Sequence, residues 1–61
     1  MDRAELIFLL DNLESTAADL GLYPFVNAVT TAYTPGWAQE WTDEGIVEAI
    51  NVLTSAIFGT E

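Results

Sequence analysis

Leu6, Leu10, Leu13, Ala17 and Leu20 recur every three or four residues, with Leu9 beside them, and form one apolar stripe on a helix. Asp2 followed three residues later by Glu5 has the spacing of a capping box, with Asp in place of the more usual Ser or Thr. Gly21 stands where a helix can stop in a left-handed conformation, and Leu22 can fold back as the hydrophobic partner of that stop. Together these signals predict a helix over about 3–20. Phe8 is out of phase, roughly opposite the leucine stripe and on the side of Ser15 and Asp19. It is either a partly exposed phenylalanine, or a sign that more than one neighbour wraps the helix, or an anchor for another protein or subunit, or a mark that the helix boundary or phase differs from the one the stripe gives.

Beyond Tyr23, Pro24 suits a first helical turn. Phe25, Val29, Ala32 and Tyr33 then share a helical face flanked by Val26, with Asn27, Thr30, Thr31 and Thr34 opposite. Valine, threonine and tyrosine also favour strand. The clean helical period, and the lack of a strand for such a segment to pair with, predict a short helix over about 24–33. Thr34-Pro35 reads as an N-cap followed by a first helical residue, opening a further short helical segment through Trp41. On that segment Trp37 and Trp41, four residues apart, would stack along one face.

The last pattern is as regular as the first. Thr42 is a good N-cap, and Asp43 and Glu44 place negative charge on the exposed N–H groups of a first turn. Ile46, Ala49, Ile50, Leu53, Ala56 and Ile57 form an apolar stripe, Val47, Val52 and Phe58 widen it, and Glu48, Asn51 and Ser55 lie opposite. This predicts a helix over about 43–58, stopped by Gly59, with Thr60 and Glu61 frayed beyond it. The expected fold is all-α: one domain over 1–61, two long amphipathic helices, and one or two short helices between them. Two such helices cannot cover much more than each other. Either the middle segment packs across them or a second copy does, and a dimeric four-helix arrangement is the expected solution for so short a chain.

Charge narrows the function classes. Ten carboxylates face a single basic residue, Arg3, for a formal charge of -9. Nothing can neutralise a phosphate backbone, so direct nucleic-acid binding is not expected, whereas a protein with a basic surface would be attracted. Apolar residues make up 51% of the chain, which separates it from disordered acidic tails. No spanning segment or signal peptide is visible, and acidic helix faces suit a lipid surface poorly. A cytoplasmic, membrane-free protein is expected, although the lack of cysteine leaves the redox compartment open.

Candidate chemistry is sparse. With no histidine, cysteine or lysine, the usual neutral-pH base, thiolate and Schiff-base groups are missing. Asp43, Glu44 and Glu48 cluster, but they fit a favourable first turn and a solvated face better than a calcium loop. No enzyme activity, cofactor or metal is expected. The expected function is that of a small acidic protein-binding modulator or inhibitor, one version of which occupies a basic nucleic-acid-binding surface of its target. The alternative is a structural or assembly subunit acting through homo-oligomerisation or a permanent complex. Candidate partner-binding residues are Phe8, Trp37 and Trp41, with Glu40, Asp43 and Glu44 as an acidic rim. The two tryptophans could equally be the bulkiest members of the core.

Overall fold

The computed structural model describes residues 2–59. Three α-helices follow one another, α1 (Arg3–Asp19), α2 (Tyr23–Tyr33) and α3 (Asp43–Phe58), with a single 3-10 turn at Ala38–Glu40 before α3. No strand occurs among the described residues, and no helix of these residues is long and apolar enough to cross a membrane. The expected fraying of Thr60 and Glu61 lies outside the described residues.

Each long helix starts and stops on its own sequence. The Asp2 carboxylate accepts the Glu5 N–H at 2.9 Å while the Glu5 carboxylate accepts the Asp2 N–H at 3.2 Å, which completes the capping box of α1. At the other end Gly21 adopts φ +84°. The Gly21 N–H then reaches the Ala18 carbonyl at 3.0 Å and the Leu22 N–H the Ala17 carbonyl at 2.9 Å. This is the paired 5→2 and 6→1 bonding of a Schellman stop, and Leu22 packs against the core as its hydrophobic partner. In α3 the Thr42 hydroxyl accepts the Gly45 N–H at 3.0 Å, and Gly59 closes the helix at φ +66°.

The core is built from Leu10 and Ala17 of α1, Val26 and Val29 of α2, and Ile46, Ala49 and Leu53 of α3. Leu10, Ile46 and Leu53 are its largest fully buried side chains. Each such side chain contributes on the order of 1.5–3 kcal/mol of transfer free energy. α1 packs most extensively on α3, and α2 contacts both. The middle of the chain therefore supplies a third wall over the two long helices. The radius of gyration, 10.8 Å, is close to the roughly 10.5 Å expected for a closed domain of this length.

Two sequence expectations about α2 are corrected. Its buried face is centred on Val26 and Val29, with Thr30 partly covered and Thr34 buried, while Phe25, Ala32 and Tyr33 are exposed. The inward face is thus turned towards Val26 and Thr30 relative to the one that hydropathy selects. This face continues the core contact of Leu22, four residues before Val26, and is the one that meets α1 and α3. The second correction concerns Thr34 and is part of the site described next.

Candidate functional site

Thr34 does not open a helix; it ends one. Its N–H and its hydroxyl both donate to the Thr30 carbonyl, at 2.9 and 3.3 Å, and its side chain is buried. A residue before proline is pushed out of the α region, and Thr34 sits at φ -133°, ψ 59°. Gly36 then takes φ +76°, and Trp37 is extended. Only one turn follows, in which the Glu40 N–H reaches the Trp37 carbonyl at 2.8 Å and the Trp41 N–H that of Ala38 at 3.2 Å. Trp41 is extended again. The expected helix from Pro35 to Trp41 does not form, and with it goes the expected stack of Trp37 on Trp41.

The two tryptophans instead take opposite roles. Trp41 packs against the core, and its indole N–H is buried with no hydrogen-bond partner. Trp37 is 76% exposed. One side chain fastens the segment and the other stands out from it.

What holds the backbone between them is Arg3. Its guanidinium donates to the Ala38 carbonyl at 2.8 Å and to the Trp41 carbonyl, and it pairs with the Asp43 carboxylate at 2.6 Å. The planar fork of arginine suits this task, because several N–H donors diverge from one rigid group. The single cation of the chain is therefore engaged at the junction between α1, the 3-10 turn and the start of α3. The Arg3–Asp43 pair itself is solvent-accessible, with side chains 38% and 68% exposed, and such pairs contribute about 1 kcal/mol at most. The carbonyl bonds are half-buried and carry more of the tethering.

The remaining predicted site residues are distributed around this junction. Glu40 is exposed, and its carboxylate folds back against Gly36, where a Cβ would collide with it. Glu44 is exposed in the first turn of α3, and Asp43 is partly neutralised by Arg3. Phe8 is 68% exposed on the outer face of α1, the side turned away from Arg3 by helical phase. Asp43 thus lies at the Arg3 junction, Trp37, Glu40 and Glu44 are exposed on the segments joined there, and Phe8 stands on a separate face of α1. Comparison of the chain with protein-family models, with curated proteins and with solved structures gave no match.

Three residues that hydropathy did not single out complete the region. Arg3 signalled itself only by being the sole cation. Gly45 sits inside α3 where the helix start abuts the end of α2: a Cβ there would lie against the Tyr33 carbonyl oxygen, far inside van der Waals contact. A glycine inside a helix costs about 1 kcal/mol relative to alanine, so its presence was a signal of close packing. Glu14 lies on α1 four residues after Leu10 and three before Ala17, beside the buried stripe. With Thr30, Thr31, Thr34, Pro35, Gly36 and Trp41 it lines an open cleft of about 500 Å³. Burial, and secondarily the neighbouring Asp11 carboxylate, raise the pKa of Glu14 above its ordinary 4.5.

Proposed function

We propose that this protein acts by binding another protein, as a small acidic modulator or inhibitor whose anchor is Trp37. One observation carries the reading: a 76% exposed tryptophan stands on a segment whose backbone is tied to α1 by Arg3. An indole presented from a tethered backbone offers a large apolar contact without the ordering cost of a loose loop. The exposed Glu40 carboxylate lies against Gly36, next to Trp37 in the chain, Glu44 is exposed in the first turn of α3, and the chain carries a net charge of -9. That field favours a partner with a basic surface and accelerates encounter. A basic nucleic-acid-binding surface is the sharper version of such a partner. The role is one of occupancy, with no chemistry of its own.

The test is affinity capture from the host at low and high salt, with Trp37→Ala and Trp41→Ala compared. Trp37→Ala is expected to lose the partner while keeping wild-type far-UV helicity. Trp41→Ala is expected to lose helicity, because its ring packs on the core. Unchanged capture by a folded Trp37→Ala variant would remove the anchor from the proposal.

A second reading, a self-assembling subunit, is favoured by Phe8 and Phe58, which are 68% and 72% exposed. Exposed phenylalanines are compatible with a homodimer whose interface leaves Trp37 free. Sedimentation over a dilution series, with Phe8→Ser as comparison, separates the two readings: a dimer that the substitution dissociates supports assembly, and a monomer at all concentrations opposes it.

A further inference from the structure

The cleft between α1, the end of α2 and Trp41 presents mainly oxygen atoms, beside the aromatic ring of Trp41, whose indole N–H is buried and unpaired. Glu14 contributes a half-buried carboxylate that has no hydrogen-bond or ion-pair partner among the described residues. The hydroxyl protons of Thr30 and Thr34 are already spent, on the Asn27 carbonyl at 3.1 Å and on the Thr30 carbonyl at 3.3 Å. Their oxygens keep only lone pairs to offer. Among the described residues no cationic side chain pairs with Glu14: the chain has no lysine or histidine, and Arg3 is engaged by two carbonyls and Asp43. Trp41 adds an aromatic wall, the ring type that attracts cations most strongly.

We infer that this cleft binds an organic cation, an alkylammonium or guanidinium group, with Glu14 as the charge partner, the threonine oxygens as further acceptors and Trp41 as the wall. Such a group brings several N–H donors and one positive charge, the complement of the lining. A simple divalent metal fits less well, because one carboxylate and hydroxyl oxygens fall short of the oxygen set such ions demand. The cation can be a free small amine or the side chain of a basic protein. In the second case the cleft lies next to the segment bearing Trp37 and would deepen the partner reading, on which the inference does not otherwise depend.

The experiment is a ¹H–¹⁵N NMR titration of the intact chain with butylammonium, ethylguanidinium and a short capped peptide containing one lysine, with butanol and ethylurea as uncharged controls. Saturable shifts of the Thr31, Thr34 and Gly36 amides and of the Trp41 indole N–H are expected with the cations and not with the controls. Glu14→Gln, which keeps the shape of the side chain, is expected to weaken binding by about tenfold or more, the effect of losing a charge-assisted contact. The lysine peptide binding at least tenfold tighter than butylammonium assigns the cation to a protein partner; equal or weaker binding assigns it to a free amine. Equal affinity in Glu14→Gln, or shifts centred instead on the exposed carboxylates of α3, would overturn the inference. Loss of partner capture in Trp37→Ala with cation binding intact would show the two proposals to be separate.

Discussion

The two connections of the bundle are built on different principles. The α1–α2 turn is closed by neighbours in sequence: Gly21 and Leu22 bond back to Ala18 and Ala17, and Leu22 drops into the core beneath them. The α2–α3 connection, from Thr34 to Thr42, has one local turn and is otherwise held from a distance. Arg3 binds Ala38 and Trp41 across sequence separations of 35 and 38 residues, and Gly45 lets the start of α3 touch the end of α2. A turn made of local bonds forms as soon as its helix does. A connection made of distant bonds exists only once the bundle has assembled, so losing one of those bonds should loosen that connection more than the locally bonded turn. The exposed tryptophan belongs to the second kind.

The largest effect that distinguishes these connections should come from Gly45→Ala. The added Cβ meets backbone on α2, which cannot rotate away as a side chain could, and the two helices must separate. A loss of about 3 kcal/mol is expected, at the upper end for overpacking, against the slight gain that alanine brings at an ordinary helix position. Urea denaturation measures it; a variant as stable as the parent would show that this contact does not govern the junction.

Arg3→Ala comes next. It leaves two half-buried carbonyls and Asp43 without their donor, for an expected cost of about 1–3 kcal/mol. Its distinguishing sign is local: amide exchange at Trp37–Trp41 should quicken more than exchange at Ala17–Leu22. Arg3→Lys should recover the ion pair but not both carbonyl bonds, since an ammonium lacks the fork. Uniform protection loss at both connections would contradict the distinction drawn between them.

Gly21→Ala is expected to cost about 1 kcal/mol, because φ +84° is unfavourable for a residue with a Cβ although the space around it is open. Here the loss comes from backbone conformation alone. Thermal unfolding of Gly21→Asn, which tolerates the left-handed region better, should fall between the parent and the alanine variant.

The smallest effect is that of Glu14→Gln. Because the folded-state pKa of Glu14 is raised, the folded chain binds more protons than the unfolded one between the ordinary value of 4.5 and the raised one. Stability from this group is therefore lost as pH rises through that window and remains lower above it. Gln should stabilise the protein at pH 7 by under about 0.5 kcal/mol, with the gain vanishing below the ordinary glutamate pKa. A gain independent of pH in melting curves would mean that burial of Glu14 is not its source.

Much of the fold was legible in the residues. Helix positions, the capping box of α1, the Gly21 and Gly59 stops and the Thr42 cap all depend on interactions within about five positions of one another. Hydropathy misjudged α2 because an 11-residue helix carries apolar groups on more than one face, and the face that turns inward is chosen by its neighbours. It misjudged Thr34 because the same Thr-Pro pair can open a helix or end one, and the preceding helix decides which.

By itself, then, the amino-acid sequence determined that this chain forms helices at three places, where they start and stop, and that it carries nine net negative charges. These are properties of local backbone chemistry and composition. Only the tertiary structure decided that Trp41 faces in and Trp37 faces out, that the lone arginine ties the segment between them, and that Glu14 shares a cleft with three threonines. Each of these is a meeting of residues distant along the chain, set by how three apolar faces close on one core.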